Sequence, residues 1–471
     1  MAHWLRDRGF EGYAVRGGVA ALTGEGLETE PVPADQATPT PPTRVLAALR
    51  SPLFRRYSAG VLLSLIGNWV EAAAYGYVVL LLGGSAATLG LIGFLNTIPN
   101  LIFALPAGAL ADRYDRRKLL LIFQSLNMAI AATLAVTWAS GTLTIELLGV
   151  LAVLGGILGT LSFAPFQAML AAMVPMRDLD SAVAINSLSL QVARFVGPAI
   201  AGLLLAVAGP TWVFGVNAAS FVAVLGTLAL LPGSPPVRSA AAKAGGAISE
   251  AFRYVFGQRS LAAMMLLMLV AGLFGTPPVA FMIPALVRYN LHAGAGTLGA
   301  IMAAIGLGSL LGSIMMLRLS SRPNKGEPLL VGFVVTGAAL AGIGASTNAW
   351  LSLALAFVGG FAGVLFVGLS TVVVQAMSTD ELRARTLAIW AAAFVGVLPF
   401  GALLTGGLAA VIGPGGAVFV DGVAVLVGAI VVVAFRPQVA WLGCAALPTS
   451  CIAGVNPAAV AFEVEVRATA A

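Results

Sequence analysis

From Tyr57 to Phe435 the chain is a succession of apolar runs separated by short polar turns. Each run is about 20 to 28 residues long, enough for a helix to cross roughly 30 Å of bilayer hydrocarbon at 1.5 Å per residue. Spans are predicted near 57–82, 88–111, 117–139, 145–172, 181–208, 211–232, 261–287, 296–318, 328–346, 349–376, 384–411 and 415–435. Charged residues make up only 9% of the 471, against roughly 25% in soluble domains. With a mean hydropathy of +0.98, the chain has too few charges to cover a water-soluble fold of this size. It reads as an all-α integral membrane protein of twelve helices.

Positive charge orients these spans, because Lys and Arg concentrate in cytoplasmic loops. Arg55 and Arg56 precede span 1, and Arg113, Arg116, Arg117 and Lys118 follow span 2. Arg177 follows span 4, and Arg238, Lys243, Arg253 and Arg259 fill the central loop. Arg318, Arg322 and Lys325 follow span 8, Arg383 and Arg385 follow span 10, and Arg436 follows span 12. All fall on one side. The opposite turns, GGSAA, ASGT, AGPT, ASTNA and IGPGG, carry no basic residue. The turn after span 7, with Arg288 and His292, breaks the pattern. Both termini are therefore expected in the cytoplasm. The +6 balance, 25 basic against 19 acidic residues, reads as membrane orientation and not as nucleic-acid binding.

Several chemistries are excluded by scarcity. Cys444 and Cys451 lie beyond the last span and His3 and His292 are the only histidines, so neither a disulfide framework nor a histidine-ligated metal centre is expected. No cofactor is implied. The start of the chain, MAHWLRDRGF, lacks the apolar core of a cleavable signal. An integral membrane enzyme is a poor fit, because the spans hold no paired carboxylates.

The longest interior polar stretch divides the chain into a tail (1–50), a six-span half (51–232), a linker (233–258), a second six-span half (259–436) and a C-terminal tail (437–471). The Pro- and Thr-containing first tail has no helical period and is expected to be disordered. A weak internal repeat supports the division. Thr88-Leu-Gly90 recurs as Thr297-Leu-Gly299, and the same offset carries Arg113 onto Arg322. Later in each half the offset shortens from 209 to 204 residues and pairs Gly197 with Gly401, Gly202 with Gly406, Gly209-Pro210 with Gly413-Pro414, and Asn217 with Asp421. Such duplication in transporters places the substrate between the halves.

The sharpest motif is Gly108-Ala-Leu-Ala-Asp112-Arg113-Tyr-Asp-Arg116-Arg117, with the spacing G-x-L-x-D-R-x-x-R-R. Here the sequence resembles the major facilitator superfamily, whose loop between helices 2 and 3 has this form. Gly108 allows close helix approach, and Asp112 suits the positive end of a neighbouring helix. The resemblance implies that this neighbour is span 11, opening near Asp380 to Arg385, and that the latch holds an outward-open state. Asp115 stands where the family usually has Gly, which puts the tight turn in question. A plain positive-inside loop explains the arginines but not Gly108 and Asp112 together.

In span 5, Arg194-Phe-Val-Gly197-Pro198-Ala-Ile-Ala-Gly202 looks like the Gly-Pro motif of major facilitator exporters, with Ala193 and Ala201 replacing two of its glycines. Pro198 permits a bend, and Gly197 and Gly202 allow close packing against the other half, a contact that opposes leakage. The alternative is an incidental kink. FRRYSAGVLLSLIGNW with Glu71, VPMRDLDSAVAINSL and STDELRARTLAIW look most like the bacterial exporters grouped with enterobactin and macrolide efflux permeases.

Ionisable groups deep in a span need a partner or a watery cavity. Glu71, Arg194 and Asp421 are the candidates. Glu71 is the preferred proton-coupling residue, since a carboxyl group in a partly dehydrated cavity can load and release a proton. Arg194 suits either neutralisation of Glu71 or an anionic substrate. Asn68, Trp69, Tyr75, Asn96, Asn100, Gln167, Asn186, Gln191 and Gln375 are candidates for lining a cavity or for bonding helices together. The expected activity is secondary export of a small molecule by a monomer in a bacterial inner membrane, driven by the proton gradient. Uptake by symport and a transporter-like sensor are the alternatives.

Overall fold

Ten helices occupy the first ten predicted spans in the computed structural model, which describes residues 13–15, 29–31, 47–175, 178–231, 247–320, 322, 324–379 and 382–435. They are α1 (Pro52–Leu81), α2 (Ala86–Arg113), α3 (Arg116–Ala139), α4 (Ile145–Ala172), α5 (Leu179–Val207) and α6 (Pro210–Leu230), then α7 (Arg259–Tyr289), α8 (Ala295–Ser320), α9 (Gly326–Ala345) and α10 (Ala349–Met377). Even the shortest, α9 with 20 residues, reaches about 30 Å. The turns are closed by local chemistry. Ser51, Asp115, Thr144 and Asn348 each accept backbone N–H groups at the start of the following helix, where the first turn has no partners of its own.

The remaining stretch, Arg383–Ala434, is one 52-residue apolar run that counts with the other ten as eleven candidate spans. It is not one crossing. Gly413 is non-helical at φ 79° and ψ 162°, with Pro414 next. Across it, Thr405 Oγ1 donates to Asp421 Oδ2 at 2.6 Å although the two are 16 residues apart, a separation that a straight helix would stretch to about 24 Å. The chain therefore turns back at Gly413, which gives α11 (383–412, interrupted by a turn at 395–397) and α12 (414–435). Gly209, at φ 80° and followed by Pro210, makes the same turn between α5 and α6. A residue with a Cβ is strained at such φ values, and proline suits the first helical position.

The packing is that of two matching bundles. In the first, α2 packs on α4 and α3 on α4 and α6; in the second, α8 packs on α10 and α9 on α10 and α12. The bundles meet along two crossings, α2 with α11 and α5 with α8. α7 is irregular, with two π-helical turns, Ala271–Gly275 and Pro278–Met282, either side of Thr276 and Pro277, and such turns recur at functional sites.

Within the stretch 233–258, expected to be linker throughout, residues 247–257 form a helix. It docks on the second bundle, with Tyr254 Oη donating to Met377 O at 3.0 Å and Glu250 3.5 Å from Arg385. In the tail expected to be disordered, Tyr13–Val15 pairs antiparallel with Thr29–Pro31 and Ala47–Arg50 forms one 3-10 turn. The C-terminal tail, His3, Cys444, Cys451, Arg177, Arg238, Lys243, Asp380 and Arg436 lie outside the described residues.

Candidate functional site

The two crossings are built on glycine. A Cβ placed on Gly406 would lie 2.7 Å from the Cα of Gly90, and one on Gly202 would lie 2.5 Å from the Cα of Gly299. Backbone therefore meets backbone between α2 and α11 and between α5 and α8. Gly90 and Gly299 are near the starts of their helices and Gly202 and Gly406 near the ends, so all four sit at the end of the molecule opposite loop 2–3. There α7 also presses on the first bundle, with Pro284 over Gly76 and the Phe281 ring over Gly93. This end is closed.

From that closure a cavity of about 610 Å³ extends between the bundles toward the loop 2–3 end, where Tyr57, Gln167 and Asn186 line it. Its two walls differ. Among apolar residues such as Leu65, Ile92, Leu151, Phe163 and Phe166, the first bundle contributes Ser64, Asn68, Trp69, Glu71, Tyr75, Asn96, Gln124, Asn127, Ser162, Asn217 and Arg194, whereas the second contributes Thr276, Val279, Ala280, Phe281, Pro284, Met302 and Ile305. Asn217 Nδ2 on α6 donates to Glu71 Oε2 on α1 at 2.6 Å. The Arg194 guanidinium stands 5.0 Å from the centroid of the Trp69 ring, a stack that favours the cation while leaving N–H groups for a ligand. Arg194 therefore pairs with an aromatic face and not with Glu71. Gln124 Nε2 reaches Ser162 Oγ at 3.4 Å and Asn96 Nδ2 donates to Ala152 O at 3.2 Å, while Tyr75 packs edge-on to Phe214.

Of the residues singled out in the sequence, Glu71, Arg194, Asn68, Trp69, Tyr75, Asn96, Gln167 and Asn186 line this cavity, and Asn100, Gln191, Gln375 and Asp421 do not. Asn100 Oδ1 accepts from Thr160 Oγ1 at 2.9 Å, between α2 and α4. Gln191 Nε2 donates to Ser309 O at 3.2 Å and Ser313 Oγ at 2.7 Å, tying α5 to α8. Gln375 is exposed near the end of α10. Asp421 is fully buried between α11 and α12; its Oδ1 has no partner among the described residues. Asn100, Gln191 and Asp421 bond neighbouring helices together, and sequence alone does not tell which wall a polar side chain faces. Gln124, Asn127, Ser64, Ser162 and Asn217 were not singled out, although Gln124 and Asn127 carry the same signal as Asn96.

The model of the family described as transmembrane secretion effector matches residues 43–464. The chain belongs to this major facilitator family. The multidrug efflux pump Tap of Mycolicibacterium fortuitum is 27% identical over 76% of this chain and 88% of its own length. The enterobactin exporter EntS of Citrobacter koseri is 26% identical over 79% and 88%. The staphyloferrin A transporter of Staphylococcus aureus is 34% identical, over 36% of this chain and 43% of that relative. Among solved structures, nucleoside transporter NupG superposes with a TM-score of 0.64 at 14% identity, over 82% of this chain and all of that one. D-xylose-proton symporter gives 0.64 at 17% identity, over 82% and 98%.

The major facilitator signature in loop 2–3 has two kinds of residue. Arg117 is fixed, its Nε donating to Leu228 O at 2.8 Å and its Nη2 to Ala229 O at 2.6 Å, which satisfies carbonyls at the end of α6. Arg116 is buried with Nε 3.4 Å from Ala111 O. Asp115 in place of the usual Gly causes no difficulty, because its side chain caps α3, accepting from Arg117 N at 2.9 Å, with φ at −60°. Asp112 and Arg113 are exposed, Asp112 has no hydrogen-bond or ion-pair partner among the described residues, and a Cβ on Gly108 would meet nothing within 4 Å. Among the described residues, Asp112 therefore makes no hydrogen bond or ion pair with α11. In the α5 motif, Gly202 contacts the other bundle and the Pro198 carbonyl faces Gly299, but Gly197 packs on Trp69 and Ile66 of α1 in its own bundle. That corrects the expectation that both glycines face the second half.

Proposed function

We propose that this chain exports a small molecule by alternating access, as a proton antiporter working as a monomer in a bacterial inner membrane with both termini in the cytoplasm. The observation that carries this reading is a cavity closed at one end by glycine crossings and extending toward the loop 2–3 end. By the charge asymmetry, that end is the cytoplasmic one. A substrate would load there. The exporters Tap and EntS, matched over most of their length, support the direction.

The walls suggest the substrate class. Carboxamides and Arg194 offer hydrogen bonds and one positive charge, and Phe281, Met302 and Ile305 offer an apolar face, which suits an amphipathic molecule with an anionic or polar edge. Glu71 is the coupling group. In the outward-open state it takes a proton from the outside; after the swing it releases the proton to the cytoplasm as substrate binds beside Arg194. Asn217, donating at 2.6 Å, holds the Glu71 carboxyl group in place from α6. In that outward-open state α2 and α11 close at the cytoplasmic end, and Asp112 reaches the positive start of α11.

Everted membrane vesicles, energised so that the lumen is acidic, test this with enterobactin, staphyloferrin A and ethidium as probes. Accumulation of at least one probe in the lumen, abolished by a protonophore, is expected. Proton-driven uptake into right-side-out vesicles instead would overturn export in favour of symport.

A further inference from the structure

We infer that Arg288, at the end of α7, is a gate residue that clasps the end of α1 and holds the two bundles shut opposite loop 2–3. Its Nη1 donates to Leu80 O across the bundle boundary at 2.9 Å. Leu80 lies in the last turn of α1, where carbonyls lack helical partners and the negative pole of the helix attracts a cation. Gly83 N also donates to Leu80 O at 3.2 Å, and a carbonyl oxygen has a second lone pair for the guanidinium. The charge-assisted bond joins α7 of the second bundle to α1 of the first.

Three observations make this more than a surface contact. The first is the sequence anomaly. Arg288 is the arginine that departs from the charge asymmetry of the loops, and a cation on that side does not help to orient the helices. The cap on α1 accounts for it. The second is the packing beneath the bond, where Pro284 lies against Gly76 and Phe281 against Gly93, so that α7 has no free space until the bundles part. The third is the irregularity of α7. Two π-helical turns, with Pro277 and Pro278, separate the segment 283–289 from the rest of the helix, which lets that segment swing without bending a regular rod.

The bond belongs to the state in which this end is closed. When the bundles separate here, Leu80 and Arg288 move apart with them, so the bond adds to the stability of the cytoplasm-facing state alone and sets how often the other is visited. Arg288 is a positioning residue, since it does not line the cavity. The inference rests on the alternating-access reading proposed above.

The test is the distance between spin labels on Thr142→Cys and Thr347→Cys, exposed turn residues of the two bundles at this end, in full-length protein with Cys444→Ser and Cys451→Ser in lipid nanodiscs. Arg288→Ala should raise the long-distance population about tenfold. Gly202→Leu, which forces the α5–α8 crossing apart, is the positive control. If Arg288→Ala does not reach the membrane, Arg288→Gln tests the same bond with a smaller change. Distances unchanged in the Arg288 variants while Gly202→Leu responds would overturn the gate and leave export standing. No response from any variant would overturn alternating access itself.

Discussion

Each half of the molecule holds one deeply placed carboxylate, and the two are handled in opposite ways. Glu71 in the first bundle faces the cavity and takes an amide hydrogen bond from Asn217. Asp421, the position that the repeat pairs with Asn217, is sealed between α11 and α12 with Thr405 at 2.6 Å. The same contrast runs through the walls: the first bundle mixes polar and charged side chains with apolar ones, and the second is apolar apart from Thr276. The two halves share one packing scheme, but the charged groups and carboxamides that border the cavity all come from the first. In the function proposed above, recognition and coupling belong to the first bundle, and the second supplies an apolar surface and α7.

The largest effect expected from this contrast is at Glu71. Glu71→Gln should lower pH-gradient-driven transport in everted vesicles more than about tenfold while downhill exchange of the same compound continues. Loss of both would make Glu71 a folding or binding residue. Next comes Arg194, whose replacement by Ala should raise the half-saturating substrate concentration about three- to thirtyfold. Arg194→Lys should restore little, because a planar guanidinium stacks on Trp69 and an ammonium does not. On the apolar wall, Met302→Ala should alter the relative transport of two probes by about two- to fivefold without changing the proton dependence. A change in coupling from Met302→Ala would break the division of labour between the walls. The smallest effect belongs to Asp421: Asp421→Asn should leave transport within about twofold of the unaltered protein, and Thr405→Val should cost only about 1 kcal/mol in thermal unfolding. If Asp421→Asn abolished transport as Glu71→Gln does, the two halves would be equivalent after all.

The helices were legible because length and apolarity decide membrane crossing. Even the boundary between α11 and α12 could be placed, since Gly413-Pro414 repeats the turn chemistry of Gly209-Pro210. What could not be read was which way polar groups point. Asn96 and Asn100 stand one turn apart in α2, yet Asn96 borders the cavity and Asn100 binds Thr160 inside the bundle. Their sequence signal is the same; the difference lies in helix rotation, which packing sets. The stack of Arg194 on Trp69 was likewise hidden, because it depends on how α5 leans on α1 at Gly197. The irregular course of α7 left a trace in Pro277, Pro278 and Pro284, but proline predicts a break and not the π-helical form.

The glycine crossings also bear on where such a chain comes from. Gly90 of the first half touches Gly406 of the second, and Gly202 of the first touches Gly299 of the second. In the repeat, Gly299 is the counterpart of Gly90 and Gly406 that of Gly202. Position A thus meets position B, and B meets A, as in the isologous interface of a two-fold homodimer. A six-helix ancestor pairing with its own copy would leave this pattern, and fusion of the copies would keep it. The present partners are therefore bound to change together: a side chain gained at Gly90 needs room from Gly406, more than 300 residues away along the chain.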